Sequence, residues 1–288
     1  MARYFLNEFQ RQKLESYPEF LLKEDMHKFF TLTIRDKEFI KDCRGDANKI
    51  GNAIQICTVK FIGFIPLNFF ELSKNFVKYV AKQLNLDWNA FYNYAQREQT
   101  RTEHLNKILI LLNFKNYDTE YEKKLQVWLN KRALEHDSSS VLLSDSIKKL
   151  HEEKHLRPAL TTIEKCVSIA RQEALKVTYE SIKHIITDNN KRFFNKILSQ
   201  HDEIENITYL RWLALRETSN SVDAISSALD KLEFLKKFNV HKWFAEGINA
   251  NRKKFLARIA RSSTPSILGK AEEKRKYGSS GFTMGTPI

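Results

Sequence analysis

The sequence predicts an all-α protein built from two small helical domains in tandem. It contains only eight glycines and five prolines in 288 residues, less than half of the roughly 12% that these residues make up in an average protein. A sheet-rich fold needs many tight turns, and this composition provides few of them. Apolar residues also recur at three- and four-residue intervals in several segments, as in amphipathic helices. The length suffices for about two domains of ordinary size.

The clearest helical pattern covers the stretch from Asn48 to Phe64. Its apolar residues recur at helical spacing and form one buried stripe. The polar residues of the same stretch are expected to point largely elsewhere, and these are Asn48, Lys49, Asn52, Gln55 and Lys60. Pro66 then marks a break in the helix.

Further helices are expected on both sides of this stretch. One or two short helices precede residue 28, and Thr33 can cap a helix that begins near Arg35. A helix from about Glu71 to Leu84 has apolar residues at steps of four. Thr100 and Glu103 have the spacing of a capping box, which predicts a helix that starts there.

The second half of the chain repeats this organisation after a loop. A helical pattern runs from Tyr121 to Leu134, and the polar residues His136 to Ser140 indicate a loop that joins two domains. Thr161 and Glu164 form a second capping-box spacing before a helix expected to reach Val177. The predicted divisions are a first helical domain over 1–120, a helical connector and loop over 121–150, a second helical domain over 151–265, and a poorly ordered tail over 266–288.

The charge of the chain favours a polyanionic partner. Lysine and arginine number 48 against 35 acidic residues, giving a net charge of +13 and a pI near 9.5. No run approaches the roughly 20 apolar residues that span a bilayer, so we expect no membrane partner. The N-terminus lacks a signal-peptide pattern, which predicts a soluble, cytoplasmic protein. The three cysteines predict neither a disulfide framework nor a zinc site.

Three motifs follow one another in the first half of the chain. The first comprises Phe30, Leu32, Thr33, Arg44, Gly45, Asn48, Lys49, Ile50, Gly51, Gln55, Ile56, Cys57, Lys60 and Gly63. The second comprises Tyr79, Val80, Ala81, Gln83, Leu84 and Leu86, and the third Arg97, Thr100, Arg101 and His104. In order and spacing, these motifs resemble the N-terminal DNA-binding region of Tn3-family transposases. Where that family commonly has glycine after two helices, this chain has Asn85 and Asn113, which tolerate a left-handed C-cap conformation.

The resemblance implies sequence-specific binding of double-stranded DNA at the terminal inverted repeats of a transposon. Members of the family carry a ribonuclease-H-like core, in which three carboxylates bind two metal ions for DNA cleavage and strand transfer. Nothing in this chain matches that core, and the match stops at Gly278. We therefore expect an N-terminal fragment or truncated copy without enzymatic activity. No catalytic residue, metal site or cofactor is expected here, since divalent metal serves only the missing catalytic domain. A homodimer through regions outside this chain and association with the bacterial nucleoid also follow from the resemblance.

A looser match covers the second half and resembles the start of that family's second DNA-binding unit. It includes Arg157, Thr162, Arg171 and the segment Tyr209 to Leu213. Further along, six basic residues between Lys242 and Arg261 are accompanied by one acid. This basic segment is either a helix lying on phosphates or a solvated helix face that packs on a neighbouring domain.

The candidate DNA-binding residues combine cations for phosphates with side chains that reach base edges. In the first half they are Arg44, Asn48, Lys49, Gln55, Lys60, Arg97, Arg101, His104 and Lys107. In the second half they are Arg157, Thr162, Lys165, Arg171, Arg252, Lys253, Lys254 and Arg258. Two of them also have a structural interpretation, with Asn48 as a helix cap and Gln55 bonded within the domain.

Several other functions stay open from the sequence. A general basic helical protein could bind RNA or a partner protein, and a decayed transposase remnant could be inert. A complete small nuclease would need clustered carboxylates, which the sequence does not show. His151 and His155 lie four residues apart and could chelate a metal from one helix face, but no companion ligand completes a site.

Overall fold

A computed structural model describes residues 5–18, 22–94, 98–181, 187–216, 221–238 and 248–262. Over these ranges the chain forms helices and no strand, with two isolated β-bridges, which confirms the all-α prediction. The helices are α1 (Glu8–Glu15), α2 (Lys23–Phe29), α3 (Ile34–Lys41), α4 (Asp46–Ile62), α5 (Lys74–Leu84), α6 (Glu98–Leu112), α7 (Thr119–Glu135), α8 (Ser139–Glu152), α9 (Leu160–Ser181), α10 (Asp188–Leu198), α11 (Tyr209–Ala214), α12 (Val222–Lys237) and α13 (Ala250–Ser262).

The described chain divides into two compact units. The first takes in the chain up to Leu129 together with Ser139–Ser168, and the second takes in Asn130–Ser138 and the chain from Ile169 onward. The stretch predicted as a connector, 121–150, is therefore shared between the units and consists mostly of α7 and α8. The assignment of residues 151–265 to a second DNA-binding domain stays a prediction, and the predicted tail over 266–288 lies outside the described residues.

Helix α4 forms the centre of the first unit. Every residue from Ile50 to Val59 is buried, so the helix is surrounded by other elements on all sides and not only along one stripe. Helices α2, α3, α5 and α6 and the 3₁₀ turn Trp88–Asn93 all pack against it. The prediction that Asn52 and Gln55 point away from the core is wrong, because each is 1% exposed.

The motif residues of α5 fix the segment that precedes α3. The amide of Gln83 donates to the carbonyl of Phe30 at 2.9 Å and accepts from the backbone N–H of Leu32 at 2.8 Å. The hydroxyl groups of Tyr79 and Thr31 are hydrogen bonded at 2.9 Å. Gln83 of the second motif thus holds the backbone of Phe30 and Leu32 at the start of the first motif.

The helix ends follow the predicted chemistry. Thr33 caps α3 in a full capping box with Asp36. Gly63 ends α4 in the left-handed conformation with a φ of 72°, and Asn85 and Asn113 adopt it with φ values of 54° and 56°. The expectation that these asparagines tolerate a left-handed C-cap is confirmed, since the short Asn side chain visits this region at low cost.

Two predicted helices are present, but neither begins with its predicted capping box. Helix α6 already begins at Glu98, so Thr100 lies inside its first turn and is not an N-cap. Helix α9 begins at Leu160, and Glu164 does not complete a capping box. Its carboxylate instead accepts hydrogen bonds from distant groups, namely the backbone N–H groups of Phe5 and Leu6 and the guanidinium of Arg11.

The second unit has its own aromatic core. Phe193 and Phe194 on α10 pack with Tyr209 and Leu210 on α11, and Phe234 of α12 stacks on Tyr209 at a ring distance of 4.9 Å. No described helix in the protein is long and apolar enough to cross a membrane.

Candidate nucleic-acid interface

Gly45 sets the start of α4. Its φ is +78°, in the region that residues with a Cβ rarely adopt, and this lets the chain turn sharply from Arg44 into the helix. The side-chain amide of Asn48 then donates to the carbonyl of Arg44 at 2.9 Å and closes the turn. Asn48 is therefore not the N-cap that the structural interpretation suggested, because Gly45 occupies that position.

Gly51 allows Tyr94 to lie directly on α4. A Cβ atom at position 51 would be 2.0 Å from Cγ of the Tyr94 ring, so only glycine fits without a shift of the ring. Tyr94 is fully buried and its ring is nearly parallel to that of His104, with centroids 5.7 Å apart. This contact joins α4 to α6 through an aromatic residue that the motifs did not include.

Asn52 and Tyr94 fix the protonation of His104. The Asn52 amide donates to the backbone carbonyl of Asn48 at 2.8 Å and lies 3.2 Å from Nδ1 of His104. Because an amide nitrogen can only donate, Nδ1 is an acceptor, and it also accepts from the Tyr94 hydroxyl at 2.9 Å. Burial and the nearby Lys107 lower the pKa of His104. His104 is thus neutral near pH 7 with its proton on Nε2, which has no partner among the described residues.

Four cations lie on α4, on α6 and in the turn before α4, and they are Arg44, Lys49, Arg101 and Lys107. None forms an ion pair within the described part of the chain. Burial raises the pKa of the Cys43 thiol, while the charges of Lys107 and Lys49 both act to lower it, so both lysines lie within electrostatic reach of Cys43. We call the four cations, together with Asn48 and His104, the α4–α6 surface.

Acidic residues lie near this surface, but none of them forms an ion pair with its cations in the described part of the chain. Asp42, Asp46 and Glu103 are exposed, and Asp46 occupies the first turn of α4, where a carboxylate interacts favourably with the helix dipole. Arg101 lies over the ring of Phe70 at 5.9 Å, which orients its guanidinium without removing its charge.

Gln55 and Lys60 have partners within the unit. Gln55 is 1% exposed and its amide nitrogen lies 3.4 Å from the carbonyl of Arg101, so it cannot reach a base edge in this conformation. Lys60 forms an ion pair with the buried carboxylate of Asp36. The structural interpretation of Gln55 therefore accounts for its position.

Comparison with known proteins identifies the family of the chain. The model of a family described as "Domain of unknown function (DUF4158)" matches residues 5–170, which is more than half of the chain. The chain belongs to the DUF4158 family. Both helices of the α4–α6 surface lie inside the DUF4158 match.

Several transposases are similar to the chain beyond the DUF4158 domain. The transposase for transposon Tn501 of Pseudomonas aeruginosa is 26% identical over 275 residues, covering 96% of this chain and 28% of the relative. The transposase for transposon Tn21 of Escherichia coli is 27% identical over 276 residues, with the same coverage. The transposase for transposon Tn1546 of Enterococcus faecium is 25% identical over 277 residues. The resemblance to Tn3-family transposases is confirmed, and the chain spans about 28% of the length of these relatives.

The remaining candidates inside the DUF4158 match are not brought to the α4–α6 surface by any described contact. Arg97 lies outside the described residues. Arg157 is 9% exposed and its guanidinium donates to the carbonyl of Leu14. Thr162 is half-buried and Lys165 is exposed, both on the first turns of α9.

The candidates beyond the DUF4158 domain divide into buried and exposed residues. Arg252 is 2% exposed and forms an ion pair with Asp137 at 2.7 Å, and it donates from Nε to the Thr178 hydroxyl at 3.1 Å. Arg171 pairs with the same carboxylate at 3.1 Å. On α13, Lys254 and Arg258 are exposed and Lys253 is half-buried.

The two histidines considered as metal ligands have separate structural contacts. Nε2 of His151 lies 3.0 Å from the carbonyl of Lys60, to which it can donate. His155 stacks on Tyr121 at 3.6 Å. Among the residues that the structure describes, no group of three potential metal ligands occurs.

Sequence reasoning missed Tyr94 and Asn52, which organise the surface without belonging to the basic pattern. The glycine at position 51 was a signal for Tyr94, because a glycine inside a strong helix often marks close packing. Nothing in the sequence indicated which ring would fill that space.

Proposed function

We propose that this chain binds duplex DNA at the terminal inverted repeats of a transposon and that its first unit does so through the α4–α6 surface. The observation that carries the proposal is the set of four unpaired cations on the α4–α6 surface, together with a neutral His104 and Asn48. Such a surface combines phosphate neutralisation with groups that hydrogen bond to bases. The similarity to transposases over 96% of the chain supports transposon ends as the target.

The division of labour follows from the chemistry of each side chain. Arg44, Lys49, Arg101 and Lys107 would contact phosphates, because each is a charged donor without an internal acid. Asn48 would contribute to base recognition, since its side-chain amide oxygen accepts no hydrogen bond from any described residue. His104 would donate from Nε2 to an acceptor on a base or the backbone.

Fluorescence anisotropy with labelled duplexes tests the proposal. The duplex carries the inverted repeat that flanks the coding sequence, and a scrambled duplex and a structured RNA serve as competitors. If about six phosphates are contacted, four of them by the α4–α6 surface, the log–log salt slope should be roughly −5. The repeat should be preferred over scrambled duplex by roughly a thousandfold. Equal affinity for all three nucleic acids would contradict recognition of transposon ends and leave a general basic protein.

Substitutions separate phosphate contacts from base contacts. Lys49→Ala and Arg101→Ala should weaken binding to every duplex about equally. Asn48→Ala should cost about 1 to 3 kcal/mol on the repeat alone. Lys82→Ala is the matched control, because Lys82 is an exposed lysine on α5 outside the surface. If Asn48→Ala lowers thermal stability without changing the ratio of repeat to scrambled-duplex affinity, Asn48 has only a structural role, through its hydrogen bond to the Arg44 carbonyl.

We also propose that the chain contributes recognition and not DNA cleavage. The extent of the similarity supports this, since it covers only 28% of the relatives. Incubation of the purified protein and repeat DNA with magnesium or manganese should leave the DNA intact on a denaturing gel. Reproducible nicking at a repeat end, abolished by a chelator, would favour the nuclease alternative.

A further inference from the structure

A groove in the first unit has no role in the proposed DNA contact. It has a volume of about 590 Å³ and lies between α1, the C-terminal end of α4 and α8. Most of its walls are apolar, and they include Leu14, Phe61, Ile62, Phe64, Leu143 and Ile147. This volume lies within the roughly 300 to 1,000 Å³ range of pockets that bind small molecules.

Arg157 is the unusual group in this groove. It is 9% exposed, yet no carboxylate within the described ranges lies close enough to form an ion pair with it. One terminal nitrogen donates to the carbonyl of Leu14 at 2.9 Å, and the guanidinium lies over the Phe64 ring at 3.5 Å. Its Nε has no hydrogen-bond partner. Burial lowers the pKa of Arg157 to about 10, against an opposing effect of the charge on Glu15.

The other charged side chains that the structure describes in the groove have the same sign. Lys13 comes from the last turn of α1, and Lys148 comes from α8. Among the residues that the structure describes, no acidic side chain contributes to the lining. Lys148 has its only described acid, Glu152, at 3.8 Å, and both side chains are largely exposed. An internal arginine is normally stabilised by a carboxylate, because a buried charge without a counterion is costly.

We propose that this groove binds a small organic anion with an apolar body. The body would lie against the apolar walls, and its carboxylate would supply the acceptor that Arg157 lacks, with Lys13 and Lys148 at the rim. Planar guanidinium groups bind carboxylates through two parallel hydrogen bonds, which suits a ligand of this class. A nucleic-acid backbone would satisfy the cations but leave the apolar walls uncovered.

Isothermal titration with two probes of the same aromatic body tests the proposal. The probes are 2-naphthoate, which is an anion, and 2-naphthamide, which is neutral. We expect one-to-one binding of naphthoate, at least about tenfold tighter than binding of the amide. Equal affinity for both probes would leave only an apolar crevice, and an absence of saturable naphthoate binding would overturn the proposal.

Variants place the binding in this groove. Ser144→Trp should abolish binding of both probes, because Ser144 is an exposed lining residue whose replacement fills the space. Arg157→Met should make the affinities for naphthoate and naphthamide similar. Lys148→Glu should weaken binding of naphthoate but not of naphthamide, and it changes no buried group. Lys82→Ala should leave both affinities unchanged. Unaltered naphthoate binding in both Ser144→Trp and Lys148→Glu would contradict the site, whatever the stability of Arg157→Met.

Discussion

The α4–α6 surface of the first unit and the cluster around Arg252 in the second unit share one sequence signal and differ in structure. Both contain basic residues among apolar ones. On the α4–α6 surface the cations have no described acid partner, whereas Arg252 and Arg171 both pair with Asp137. Asp137 is 115 residues from Arg252 in the chain. Whether a cation is available to DNA therefore depends on a distant acid that no local pattern reveals.

The largest effect is expected at Asp137. Asp137→Ala would leave Arg252 buried without its counterion, and breaking a buried pair in this way costs about 3 to 5 kcal/mol. Chemical denaturation measures the loss. Asp223→Ala, at an exposed position in the first turn of α12, should change the free energy of unfolding very little. A small loss in Asp137→Ala would mean that the Arg252 cluster is as solvated as the α4–α6 surface.

The next effect is expected at Gly51, on the α4–α6 side of the comparison. Gly51→Ala places a Cβ against Tyr94, and overpacking of this kind costs about 1 to 3 kcal/mol. In the double variant with Tyr94→Ala, the total loss of unfolding free energy should be clearly smaller than the sum of the two single losses, since removal of the ring relieves the clash. Additive losses in the free energy of unfolding would show that the cost of Gly51→Ala does not come from the Tyr94 ring.

A smaller effect is expected on the salt dependence of DNA binding, and it compares the cations of the two regions. Lys49→Ala and Lys107→Ala should each reduce the salt slope of DNA binding by about 1, as expected for a phosphate contact. Lys254→Ala and Arg258→Ala test the prediction for α13 in the same titration. Equal reductions in both regions would mean that α13 contacts DNA despite the burial of Arg252 beside it. An unchanged slope in all four variants would place the phosphate contacts elsewhere.

The smallest effect concerns pH. The folded state holds the pKa of His104 below its ordinary value, so its contribution to stability is present above the unfolded pKa of about 6.5 and is lost as pH falls through the folded pKa. His104→Gln should flatten this part of the stability curve. His155 also has a lowered pKa, so NMR titration of the individual ring signals is needed to assign the effect. A His104 pKa at or above 6.5 would contradict the hydrogen bonds from Asn52 and Tyr94.

The sequence predicted most of the helices but few of the contacts at the site. Local signals located α4 within two residues at each end and anticipated the left-handed Asn85 and Asn113, because these features depend on neighbouring residues. The capping-box spacing at Thr161 and Glu164 was misleading, since the carboxylate is used by a segment some 150 residues away. Gln55 and Arg252 have the polarity of surface residues, and only tertiary partners explain their burial.

The hydrogen bonds to Nδ1 of His104 have a consequence for how DNA binding should be measured. A neutral imidazole donates a hydrogen bond without releasing a counterion, so its contribution to affinity does not depend on salt. Replacing His104 by phenylalanine should lower the affinity at every salt concentration and leave the slope unchanged. A high-salt titration, in which the lysines contribute least, is therefore the condition under which His104 is most visible.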